Sequence, residues 1–98
     1  MDKKEVLKKL ASLQDELRHF SVKSLYLFGS FAREEAGDDS DLDILVEFEP
    51  EAQIGLFAFA RLRRRLSELL GREVDLVTPD AIHPEMRNEI LREAVRAA

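Results

Sequence analysis

An α+β fold follows from three observations on the 98 residues. Short apolar runs with strand-like alternation, at residues 22–28, 41–49 and 73–77, stand between segments with helical spacing. The elements alternate in the order α-β-α-β-α-β-α. On the second and third strands the alternation is clean, which predicts a small sheet covered by helices on one face, with the other face open to form a site.

The first helix runs from Asp2 to about His19, where Val6, Leu7, Leu10, Leu13 and Leu17 fall on one face. Val22 to Phe28 is the first strand, closed by Gly29-Ser30. Phe31 to Glu35 can make a short helix before Gly37, and the acidic stretch that follows, with Asp38 and Asp39, is a solvated loop. From Asp41 to Glu49, Leu42, Ile44, Val46 and Phe48 lie on one face and Asp41, Asp43, Leu45 and Glu47 on the other. Pro50 ends that strand. Ile54 to Leu70 is a helix stopped by Gly71. Glu73 to Val77 is the third strand, with Asp75 opposite in direction to Val74 and Leu76. Pro84 opens a last helix that runs to the C-terminus. Its apolar residues Met86, Ile90, Leu91, Ala94 and Val95 cover a wide arc, which predicts a second buried surface from dimerisation or docking. On the third helix an outward Phe57 beside Arg61 and Arg64 has the composition of a partner contact.

The length supports one domain over residues 1–98. Hydrophobic residues at 45% and charged residues at 36% exclude a disordered chain. The absence of cysteine excludes disulfide frameworks and Cys-ligated zinc or iron–sulfur sites. The first residues lack the apolar run of a signal peptide, and no stretch approaches the roughly 18 to 20 apolar residues of a membrane span. A cytoplasmic protein without membrane contact is expected. The net charge of −5 disfavours direct binding of nucleic acid. It favours a protein partner or a site that gathers carboxylates around cations.

The segment from Gly29 to Asp43 carries the chemistry. A Gly-Ser turn after a strand presents backbone N–H groups and a hydroxyl to phosphate. If this turn and Asp41 belong to one site, the first two strands are antiparallel neighbours. Asp41 and Asp43, two apart, share a strand face, and Asp75 points to the same open face from the third strand. Carboxylates so gathered repel one another unless cations neutralise them, and two hard divalent ions are the natural solution. An EF-hand reading of Asp39, Asp41 and Asp43 fails, because Ile44 replaces the required Gly and Pro50 the bidentate Glu. Arg33 can meet a triphosphate or pair with a neighbouring Glu34 or Asp38. Glu47 is read as structural, and His19 and His83 as surface residues.

Gly29-Ser30, ten intervening residues and Asp41-Leu42-Asp43 resemble the GS-x10-DxD signature of the DNA-polymerase-β-type nucleotidyltransferase superfamily. The run from Leu25 to Val46 and the tail IHPEMRNEILREAV resemble its minimal nucleotidyltransferases, the MntA-like antitoxins encoded beside HEPN-domain toxins. The resemblance implies a palm-like nucleotidyltransferase fold with a small mixed sheet, Mg²⁺ with ATP as substrate, and transfer of AMP to a hydroxyl of a partner HEPN toxin, a tyrosine in known members. On that reading Asp41, Asp43 and Asp75 are the catalytic metal ligands and Gly29, Ser30 and Arg33 contact the nucleotide. The chain departs from the pattern at Glu34, where the family often has Gly. Two alternatives stay open: an active nucleotidyltransferase, or a non-catalytic antitoxin that neutralises its toxin by occlusion. A homo- or hetero-oligomer is compatible with both.

Overall fold

The structure, a computed structural model, describes residues 2–37 and 39–98. Its elements in chain order are α1 (Lys3–Ala11), α2 (Gln14–His19), β1 (Val22–Phe28), β2 (Leu42–Phe48), α3 (Leu56–Leu70), β3 (Val74–Val77), a 3₁₀ turn (Pro79–Ala81), α4 (Pro84–Glu93) and β4 (Val95–Arg96). The sheet order is β3-β2-β1-β4. β1 is antiparallel to β2 and to β4, while β2 and β3 are parallel. The sheet is therefore mixed, and the chain is α+β as expected.

Asp2 caps α1 by accepting the Glu5 N–H at 2.9 Å. The single first helix expected from the periodicity is broken in two. The Ser12 hydroxyl turns back onto the Lys9 carbonyl at 2.6 Å, competing with the backbone, and the helix restarts at Gln14. The apolar spacing survives the break, so Val6, Leu10 and Leu17 are all buried. α3 spans the parallel crossover from β2 to β3 and buries Leu62, Leu66 and Leu70. It ends at Gly71, whose φ of 67° is the left-handed conformation expected after a helix. Arg65 ties α3 to α2 through Glu16, at 2.9 and 2.8 Å.

The inward residues Leu25, Leu27, Leu42, Ile44, Val46, Val74 and Leu76 join α1–α3 in the main core. Helices were expected on that face alone, and α4 departs from this. The outward positions carry apolar side chains in the middle of the sheet. Leu45 is buried against Ile82 and Ile90, with Tyr26, Phe28 and Val77 around them. Exposed apolar area there would be costly, so α4 folds over it. At the end of this face that bears the aspartates, Asp41 and Asp75 stay exposed.

The last helix stops at Glu93, short of the C-terminus, and residues 95–96 form β4 against Tyr26 and Leu27. Val95 therefore belongs to a strand, and the wide helical arc read from the sequence divides between α4 and the sheet edge. Met86 and Leu91 stay about half exposed. Phe57 is exposed on α3, as are Arg61 and Arg64, and the N-terminal end of α3 follows the end of β2 remote from the aspartates. Among the described residues no helix is long and apolar enough to cross a membrane.

Candidate active site

The β-ladders decide which side chains meet. Phe28, the last residue of β1, lies opposite Asp43, so the Gly-Ser turn stands beside the start of β2. Asp43 is in turn the register partner of Asp75 in the parallel β2–β3 ladder. Neighbouring strands are about 4.8 Å apart, so the two carboxylates leave the same face side by side. Asp41 precedes β2 by one residue and is exposed, as is Asp75, whereas Asp43 is half-buried.

Burial pushes the Asp43 carboxyl above its ordinary range, and the charges of Asp75 and then Asp41 push it further. Arg33 acts in the opposite sense, and Glu93 again raises it. The three aspartates thus share one electrostatic neighbourhood. Among the described residues no three carboxylate or imidazole groups are drawn tightly enough to enclose a metal ion as the side chains lie. The donor chemistry nevertheless fits a hard divalent cation, since the set is all oxygen and the charge on it is unrelieved.

Gly29 makes this arrangement possible. Its φ is 75°, and a Cβ added there would overlap the Asp43 carboxylate, lying 2.9 Å from Cγ and 3.1 Å from Asp43 Cβ. The following residues form a single helical turn and not the short helix that Phe31 to Glu35 could have made. The Arg33 N–H donates to the Gly29 carbonyl at 3.1 Å, Glu34 N–H to Phe31 at 3.2 Å, and Glu35 N–H to Ser30 at 2.8 Å. The last two bonds form a Schellman closure with Glu34 at the left-handed position. Its φ of 60° explains why glycine suits that place. Replacing Glu34 with Gly should raise stability by about 1 kcal/mol in chemical denaturation. A loss of stability would contradict the strain assigned to this turn.

Phe31 and Ala32 anchor the turn in the core. Arg72 stacks over the Phe31 ring at 5.1 Å and donates to the Ser40 carbonyl at 3.0 Å, tying the turn to the approach of β2. Ser30 is half-buried, and its hydroxyl has no hydrogen-bond partner among the described residues. Arg33 pairs with neither Glu34 nor a loop aspartate within the described residues. It meets Glu93 at 3.0 Å and Glu35 at 3.4 Å. Asp38 lies outside the described residues. Glu47, on the same face as Asp43 but farther along β2, accepts the Ser24 hydroxyl at 2.9 Å. His19 and His83 are exposed, as expected.

Two contributors escaped the sequence reading. Glu93 is 60 positions from Arg33, and no local pattern announces such a pair. Arg72 reads as an ordinary charge after a helix cap. A cavity of about 500 Å³ lies between the start of α1 and Phe31, Glu34 and Ala36, and none of the three aspartates lines it. The three aspartates stand at the end of the sheet face formed by β2 and β3, outside this cavity.

Comparison with known proteins follows the same lines. The profile of the nucleotidyltransferase domain family matches residues 3–97. The protein adenylyltransferase MntA of Thermococcus cleftensis is 41% identical over 87 residues, covering 88% of this chain and 86% of that protein. A solved structure described as a minimal nucleotidyltransferase superimposes with a TM-score of 0.80 at 37% identity, over 97% of this chain and 95% of that one. A chain from the complex of a tri-AMPylated Shewanella oneidensis HEPN toxin with an MNT antitoxin has a TM-score of 0.67 at 20% identity, over 95% of this chain and 71% of that one. That last likeness concerns the fold.

Proposed function

Because the chain belongs to the nucleotidyltransferase domain family, we propose that it moves AMP from ATP to a tyrosine hydroxyl of a HEPN-domain toxin and so acts as its antitoxin. The pairing of Asp43 with Asp75, beside a Gly-Ser turn that only glycine can hold so close, carries this reading. The identity to MntA supports the adenylyl group and the protein acceptor. The likeness to a chain from a HEPN-toxin complex agrees with the choice of partner at the level of fold.

Asp41, Asp43 and Asp75 would hold Mg²⁺, two ions on this reading. Bound there, Mg²⁺ would neutralise the carboxylates and supply electrostatic stabilisation to the phosphoryl transfer. The Ser30 hydroxyl and nearby backbone N–H groups bind the β- and γ-phosphates, with Arg33 at the edge. The acceptor oxygen forms its bond to the α-phosphorus as the bond to pyrophosphate breaks. Asp75, exposed and nearest the outer sheet edge, accepts the acceptor's proton. Residues 1–98 act as one nucleotidyltransferase domain. α4 packs over Leu45 on this face, and the exposed Asp41 and Asp75 mark the side from which the acceptor side chain approaches.

Thermal unfolding tests the site. With ATP at about 100 times its dissociation constant and excess Mg²⁺, the folded state gains roughly 2.7 kcal/mol. The midpoint should rise with Mg²⁺-ATP and much less with ATP in a chelator. No shift at saturating Mg²⁺-ATP would contradict a nucleotide site.

A further inference from the structure

The end of α4 meets the Gly-Ser turn at one ion pair. Arg33 Nη1 donates to both carboxylate oxygens of Glu93, at 3.2 and 3.0 Å. Arg33 Nε lies 3.4 Å from Glu35 Oε2. The remaining nitrogen, Nη2, donates to no protein group among the described residues. The Arg33 side chain is 45% exposed, whereas that of Glu93 is 23% exposed. The carboxylate is therefore the fixed partner and the guanidinium the one that faces outward.

A guanidinium is planar, with its N–H groups in a rigid fork. Holding two of its nitrogens sets the direction of the third. A free arginine on a surface turn would sample many rotamers and lose that freedom on being fixed by a ligand. Here the protein has already made that selection. Glu93 is also the last residue of α4, and Val95 pairs with Leu27 just beyond it, so its backbone is held on both sides. Both charged groups act on Asp43, which places the pair beside the aspartates.

We infer that Glu93 is a positioning residue that orients Arg33, so that Nη2 is presented to the outer phosphates of a nucleoside triphosphate. The inference rests on the nucleotide reading given above. It makes α4 and the tail strand part of the nucleotide site, although their sequence carries no phosphate-binding motif. Glu93 does not compete with phosphate, because it occupies Nη1 and leaves Nη2 open.

The test compares wild type, Glu93→Gln and the exchanged pair Arg33→Glu/Glu93→Arg, each by thermal denaturation and by calorimetric titration with Mg²⁺-ATP and with AMP. Glu93→Gln should weaken Mg²⁺-ATP about tenfold. AMP, which lacks the outer phosphates, should bind as to wild type. The exchanged pair should recover the melting temperature of wild type but not its affinity for Mg²⁺-ATP, since the guanidinium now starts from the wrong side. The inference is overturned if Glu93→Gln binds Mg²⁺-ATP like wild type, if it weakens ATP and AMP alike, or if the exchanged pair restores ATP affinity. Failure of wild type itself to bind Mg²⁺-ATP would remove the nucleotide reading, and this inference with it.

Discussion

Asp43→Asn is expected to lower nucleotidyl transfer by about a thousandfold and, in the same protein, to raise the stability of the metal-free fold. Both effects have one origin. Asp43 is half-buried, and it faces Asp75 across the ladder with Asp41 two residues away. Its carboxyl is raised above the ordinary range, so between its unfolded and folded values the native chain holds a proton that the unfolded chain has released. Asp43 therefore contributes stability to the metal-free protein that is fully present below that window and is lost as pH rises through it. Asn carries no charge and removes this slope, giving a melting temperature higher by roughly a few degrees at neutral pH. Denaturation at a series of pH values in a chelator, for wild type and Asp43→Asn, checks the sign. A wild-type stability that rose relative to Asp43→Asn as pH increased through the window would contradict it. In excess Mg²⁺ the order should reverse, because only the carboxylate binds the cation.

The second large effect is at Gly29. Alanine there meets two penalties, a φ of 75° and overlap with the Asp43 side chain. Asp43 Cβ, which β2 holds in place, would itself stand only 3.1 Å from the new methyl, so a rotamer change of Asp43 still leaves a tight contact. Either the turn moves away from the strand or β2 is displaced at Asp43. Gly29→Ala should cost about 2–3 kcal/mol of stability and weaken Mg²⁺-ATP at least about tenfold. Equilibrium denaturation and calorimetry read the two effects separately. Wild-type affinity in the folded variant would mean that the close approach of turn and carboxylate is irrelevant to the nucleotide. Glu34→Gly, five residues on, should act in the opposite direction, because there the left-handed position is held by a residue with a Cβ.

The strands were legible because their alternation is clean. Val22–Phe28 was read with the bounds it has in the structure, and the others came within a residue or so. The antiparallel placement of β1 and β2 followed from asking the Gly-Ser turn and Asp41 to share a site. Register then brought Asp43 and Asp75 together, as their strand faces implied. What escaped was non-local. The two-residue β4 is too short to carry a period, and Val95 continues the helical spacing of Ile90 and Leu91. The cover over Leu45 depends on where α4 lands, which periodicity does not state. The Schellman turn hides in Glu34, since only glycine advertises a left-handed residue. The Arg33–Glu93 pair spans most of the chain.

The central claim is that Asp41, Asp43 and Asp75 carry out transfer onto a protein, and mass addresses it directly. The protein is co-expressed with a HEPN-domain toxin, the partner class of the proposed function, and the intact masses of both chains are measured for wild type and for Asp41→Asn. The account predicts one or more adenylyl additions on the toxin with wild type and none with Asp41→Asn, with tandem mass spectrometry placing them on tyrosine. An unmodified toxin that is nonetheless neutralised equally by both variants would contradict it and leave occlusion as the mode of action.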